Sequence, residues 1–297
     1  MKTFRFLNLI LLTMLALISF NACSKDDDKE EATDETKPDE IKLETFEENV
    51  NGVTFTMIAV QGGSFNMGTN QDVKKGDLNN DDEKPEHKVT LDSYYIGETE
   101  VTQQLWQAVM GNNPSTYKGE QRPVENVTYK QCLQFVGKLK TLTGKSYTLP
   151  TEAQWEYAAR GGQKSKGFIY AGTNSSRGFW YYETTKEFNA ENPYLYHIGQ
   201  HQDVKHSMAN ELKIYDMSGN VGEWCSDLYA PYPSTPQVNP QGLEPYYGNV
   251  RVYRGGSFEY DAFFCRTTCR FYHNEETSPD YHFGNLGLRL ALPQNYK

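Results

Sequence analysis

Helical periodicity is confined to three short stretches of this chain, and that scarcity limits its fold more than any other feature. TQQLWQAVMG opens at Thr102, whose hydroxyl suits it to accept from an orphan amide of the first turn, and stops at Gly111. TYKQCLQFVGKLKTLTG runs from Thr128 to Gly144 with Cys132, Phe135, Val136 and Leu139 on one face, so Cys132 reads as a small core residue. TEAQWEYAARGG carries a capping box, in which Thr151 reaches the amide at Gln154 while Gln154 reaches back, and it ends at Gly161. Strand alternation shows in VTFTMIAV, residues 53–60, and in KVTLDSYYI, residues 88–96. Between these elements lie long connections of Gly, Asn, Ser and Tyr, without internal repeat or βαβ alternation. The pattern predicts a mixed and irregular fold whose loops must be held in place by other means.

The first residues, MKTFRFLNLILLTMLALISFNAC, place Lys2 and Arg5 ahead of an apolar run from Leu7 to Phe20, with small Ala22 before Cys23. The run is shorter than the roughly 20 residues a spanning helix needs, so the segment reads as a secretory signal. Its FNAC end resembles a bacterial lipoprotein signal, which implies lipid attachment at Cys23 and a membrane partner reached through the lipidated N-terminus. Residues 23–50 hold four lysines against twelve Asp and Glu, a net charge of −8 out of the chain's −10. That like-charge excess predicts a solvated tether and leaves the body close to neutral. SKDDDKEE resembles the tag that sends some Gram-negative lipoproteins to the outer face of the outer membrane, which implies display at the cell surface. The expected division is a signal at 1–22, a tether at 23–50 and one domain at 51–297. No basic patch interleaved with aromatics occurs, which argues against a nucleic-acid partner.

Seven segments then carry a resemblance: GGSFNMGTN, DEKPEHKVTLDSYYIGETEVTQQLWQAVMG, RPVENVTYKQCLQF, YTLPTEAQWEYAARGG, YDMSGNVGEWCSDLY, RVYRGGSF and GNLGLRLA. In this order they resemble the formylglycine-generating enzyme family, also called sulfatase-modifying factor, over essentially the whole mature domain. The resemblance implies a compact α+β domain distantly similar to C-type lectin-like domains. It also implies an activity: active members hold Cu(I) between two cysteines five residues apart, bind O2 there, and convert a cysteine in a CxPxR motif of a substrate protein to formylglycine. Soft thiolates select Cu(I), so both cysteines matter. Counting without a gap from Gly255, Gly256 and Ser257 puts Tyr260 at the first cysteine position and Cys265 at the second. Ser257 matches the serine near the oxygen pocket, although a serine after two glycines is also an ordinary turn residue.

Cys265 and Cys269 leave three readings open: a copper or zinc pair, a local disulfide favoured by an oxidising cell surface, or buried thiols. Cys225 is a further partner, and with Cys132 the four cysteines allow three connectivities. The disulfides of animal relatives do not carry over, because the matching positions are Val136, Ala159, Arg270 and Leu290. Arg266, Arg270 and Arg289 either grip an acidic or peptide ligand or bond internal carbonyls, and the apolar flanks of Arg289 favour the internal role. The six histidines include His197 and His201 one helical turn apart, but HExxH, GxSxG and phosphate loops are all missing.

For DMSGNVGEW the resemblance implies a calcium site, with the side chains of Asp216 and Glu223 and the main-chain oxygens of Gly219 and Val221 as ligands. The plainer alternative is that Asp216 caps the turn and Glu223 pairs with an arginine. Gly222 stands where the enzymes have a tryptophan at the active cleft, which implies a more open cleft. With one copper ligand replaced, the expected function is a non-catalytic envelope lipoprotein that binds protein, peptide or glycan, or forms part of an envelope assembly. The alternative is a formylglycine-generating oxidase acting through Cys265 and Ser257.

Overall fold

The computed structural model describes residues 44–76, 79–184, 200–242, 248–274 and 284–295. The signal segment, Cys23 and most of the acidic tract lie outside the described residues. Strand β1, Phe46–Val50, pairs antiparallel with β2, Val53–Val60, in the register Phe46↔Met57 to Val50↔Val53. The two joining residues, Asn51 (φ 51°) and Gly52 (φ 87°), both sit in the left-handed region. That is the geometry of a two-residue hairpin turn, and Asn-Gly is its strongest sequence signal. The tether expected over 23–50 is therefore corrected at its end, because the hairpin takes Phe46–Val50 into the domain.

KVTLDSYYI forms two strands where one was expected. β3, Gly63–Met67, pairs with β4, His87–Leu91, and β4 with the short β7, Gln237–Val238. After a bend at Asp92 and Ser93 the chain enters another sheet as β5, Tyr94–Gly97, between β2 and β11, Ala291–Pro293. The bend is held from outside, since Asn239 Oδ1 accepts from the Asp92 amide and Ser93 Oγ from the Gly62 amide. A third sheet runs in the order β10, β6, β8, β9, comprising Leu286–Gly287, Gly222–Leu228, Val250–Arg254 and Arg270–Asn274.

The three helices form where capping residues placed them. α1, Gln103–Met110, starts at Thr102 Oγ1, which accepts from the Leu105 amide, and stops at left-handed Gly111. α2, Tyr129–Thr143, and α3, Glu152–Ala159, each begin with a complete capping box. α1 and α2 share one core, in which Trp106 stacks on Phe135 with ring centroids 5.0 Å apart. α3 differs because all its residues except Gln154 are buried, including Glu152 and Glu156. A helix with no wet face can keep two carboxylates only if cations reach them inside the fold. Arg254 supplies both ion pairs, to Glu152 at 2.6 Å and to Glu156 at 2.7 Å, and Arg270 adds a second to Glu152. These side-chain ties fix the end of β8 and the start of β9 to α3.

Candidate functional site

The segment after β8 makes the double-glycine turn that the resemblance aligns with a copper-binding segment. Gly255 and Gly256 are both left-handed, and a Cβ on Gly256 would lie 2.7 Å from Cys265 Sγ, so only glycine lets the chain pass over that thiol. Ser257 is fully buried, and its Oγ accepts from the Glu259 amide and from Asn285 Nδ2. Asn285 also donates to Glu259 Oε2 at 2.7 Å, tying the turn to the strand that follows. Tyr260 lies in a three-ring stack: its ring is 5.2 Å from Phe271 at an interplanar angle of 9°, and Phe271 is 5.0 Å from Tyr253 at 13°. The Tyr260 and Tyr253 hydroxyls meet at 3.4 Å.

Cys132, Cys225, Cys265 and Cys269 are all buried, and none of them is joined in a disulfide in this structure. Burial, reinforced by Cys269, pushes the Cys265 thiol well above its usual range, and burial pushes Cys269 up to about 12. A bis-thiolate Cu(I) centre needs two thiolates, and with Tyr260 in place of the first cysteine the donor set does not fit it. Gly222 does not open a cleft either. A Cβ there would lie 3.1 Å from Leu286 and 3.2 Å from Tyr253, which occupy the space.

All three arginines serve the interior. Arg266 makes a two-pronged pair with Glu83, at 2.7 and 2.6 Å. Arg270 grips Glu152 at 2.6 and 2.8 Å and also donates to the carbonyls of Asp82 and Ala230. Arg289, completely buried, holds Glu223 at 2.9 and 2.6 Å and donates to the carbonyls of Gly97 and Tyr215.

The expected calcium ligands make protein contacts in this structure. Glu223 uses both oxygens on Arg289, and its Oε2 also accepts from Trp155 Nε1 at 2.7 Å. Asp216 accepts from the amides of Lys205 and Ser207. Gly219 is fixed for a steric reason, since a Cβ there would lie 2.1 Å from the Trp180 carbonyl oxygen. With both carboxylates taken by protein donors, Gly219 and Val221 could offer only carbonyls, short of the six or more oxygens calcium wants, so this donor set does not fit the ion. Among the described residues no group of three His, Cys, Asp or Glu side chains is placed to hold a metal.

Two buried features escaped the sequence reading. Glu100 Oε1 accepts from Asn220 Nδ2 while its Oε2 has no partner, and burial together with Asp216 pushes its pKa well above the usual range. His201 is fully buried with neither ring nitrogen bonded, 3.5 Å from a Glu125 oxygen. Burial lowers the His201 pKa, so it sits as a neutral ring edge-on to Tyr117 and Phe258. His197 and His282 lie outside the described residues, so the His197–His201 spacing has no counterpart here.

An α+β domain of three small sheets, held by buried arginine–glutamate pairs around a double-glycine turn, defines the class. The model of the sulfatase-modifying factor enzyme 1-like domain matches residues 42–293, and the chain belongs to that family. Chaperone protein LppX of Paenibacillus barcinonensis is 35% identical over 224 residues, covering 62% of this chain and 75% of that protein. The formylglycine-generating enzyme of Streptomyces coelicolor is 35% identical over 152 residues, 48% of this chain and 46% of the enzyme, so the match spans about half of the enzyme's length. Among solved structures, Treponema denticola variable protein 1 superposes with a TM-score of 0.69 at 30% identity, over 85% of this chain and all of that one. PvdO from Pseudomonas aeruginosa, with a TM-score of 0.62 at 23% identity over 80% and 94%, shares the fold.

Proposed function

We propose that this chain is a cell-envelope lipoprotein whose sulfatase-modifying-factor domain binds a protein, peptide or glycan and does not oxidise cysteine. The observation that carries this reading is Tyr260, stacked on Phe271 at the position that the family resemblance assigns to the first copper cysteine. The half-buried Phe263, Phe264 and Phe271 give the surface beside Tyr260 an aromatic character that suits macromolecular contacts. The similarity to a protein named as a chaperone points the same way, towards a protein ligand. The second reading, a formylglycine-generating oxidase, is favoured by Ser257 and Cys265 in the family positions and by the similarity to enzymes of that name.

The deciding experiment measures Cu(I) stoichiometry on the purified mature protein together with oxidation of a CxPxR peptide followed by mass. Neither copper retention nor product is expected. Stoichiometric Cu(I), lost in Cys265→Ser, with peptide turnover would establish the oxidase instead. Lipidation at Cys23 and surface display belong to the same proposal. Membrane-fraction protein should become soluble in Cys23→Ala, and protease added to intact cells should remove the domain. Protection from that protease would place the domain on the periplasmic side. Among the described residues no helix is long and apolar enough to cross a membrane.

A further inference from the structure

A cleft of about 660 Å³ opens where the β4–β5 bend and the end of β2 face the C-terminal end of β11 and the start of α3. It shares no residue with the Tyr260 surface. Its size is that of a small-molecule site, roughly 300–1,000 Å³, but its chemistry departs from the usual apolar pocket. Charged residues make up 23% of the chain, yet of the eighteen residues lining the cleft only Asp92 is charged. Six of the eighteen carry side-chain amides, and among the described residues no lysine or arginine lines it. Such a lining offers nothing to neutralise an acidic ligand and one carboxylate to a basic one. It offers paired donors and acceptors to a neutral one.

Several of these groups stand ready. Asp92 and Asn239 form a reciprocal pair, the Asp92 amide donating to Asn239 Oδ1 at 2.8 Å and Asn239 Nδ2 donating to Asp92 Oδ2 at 2.9 Å. The pair fixes the carboxylate and leaves Oδ1 to accept from a ligand hydroxyl. Gln154 spends its Oε1 on the capping box at Thr151, so its amide nitrogen is the end left for a ligand. The side-chain amides of Gln61, Gln294 and Asn295 make no hydrogen bond among the described residues. Underneath, Leu149, Leu292 and Tyr94, whose hydroxyl is fixed on the Gln154 carbonyl at 2.6 Å, supply an apolar floor. Hydroxyls around the edge and C–H groups on the face are what a sugar ring presents.

We propose that this cleft is a binding site for a short neutral oligosaccharide, with Asp92, Gln61 and Gln294 reading its hydroxyls. The proposal rests on the domain being a binder and adds a second surface with its own ligand class.

Isothermal titration of the full mature protein with maltotriose, cellotriose, chitotriose and laminaritriose tests it. At least one trisaccharide should bind at millimolar concentration or below. Asp92→Asn should weaken that binding about tenfold or more, the loss expected when a charged hydrogen-bond acceptor becomes neutral. The Gln61→Ala, Gln294→Ala double variant should weaken it severalfold with an unchanged melting temperature, and Tyr260→Ala should leave it unchanged. Failure of all four sugars overturns the proposal. So does tighter binding of an acidic trisaccharide such as trigalacturonate, or binding that is lost in Tyr260→Ala and kept in the cleft variants. Copper retention and peptide oxidation report on the oxidase question separately, so the two readings can fail independently.

Discussion

Tyr260 lies parallel to Phe271, 5.2 Å from ring to ring and 9° from coplanar, at the position where the family places a copper-binding cysteine. An aromatic side chain here is part of the domain's packing. Tyr260→Ala should therefore cost about 1–2 kcal/mol in urea unfolding, from lost stacking and buried ring area. Tyr260→Phe should cost much less, because the contact between the Tyr260 and Tyr253 hydroxyls is long at 3.4 Å. Equal losses in both variants would show that the hydroxyl, and not the stack, holds the turn.

The Arg289–Glu223 pair predicts a large effect. Both side chains are completely buried, so removing one partner strands a charge without water. Arg289→Ala and Glu223→Ala should each lose about 3–5 kcal/mol or fail to fold. A thermal melt within two or three degrees of wild type would contradict this role.

Acid and base should destabilise the domain through different carboxylates. Burial alone would raise Glu152, but Arg270 and Arg254 outweigh it and hold its pKa at about 2, below the ordinary 4.5. A depressed acid stabilises the fold above its unfolded pKa, so this contribution, on the order of 3 kcal/mol, should vanish as pH falls from 4.5 to 2. Asp227 shows the opposite sign, since burial and then the Glu152 charge push it up to about 7. Its folded state favours the protonated form, so stability should decline between pH 4 and 7 as the unfolded chain alone releases the proton. Asp227→Asn should flatten that decline in melting curves taken across the range, and an unchanged slope would refute the assignment.

Glu100 lies in the same buried cluster as Asp216 and Glu223, where burial and then Asp216 push its pKa well above the usual range while Arg289 pulls it down. Calcium and chelator should then leave the melting temperature unchanged, and Glu100→Gln should raise stability at neutral pH. A calcium-dependent rise that disappears in Glu100→Gln would restore a cation to this cluster, held by a different ligand from those expected.

Local chemistry along the chain was sufficient for its helices. Thr102, Thr128 and Thr151 accept amides within their own first turns, and a capping residue and its partner are only three positions apart. The Asn51–Gly52 hairpin was equally local, and its signal lay in the sequence although the tether boundary was drawn through it. The motif string likewise named the family. What the sequence could not determine was which charges meet. Glu83 and Arg266 are 183 residues apart and Glu152 and Arg270 are 118 apart, so their pairing depends on loops whose paths no local rule sets. The same holds for Glu223, which a nine-residue motif presented as an ion ligand and the fold gave to Arg289, 66 residues on. Burial decided the rest: a carboxylate or thiol in sequence is only a candidate group, and its charge is fixed by the water it loses and the partner it gains when the chain closes.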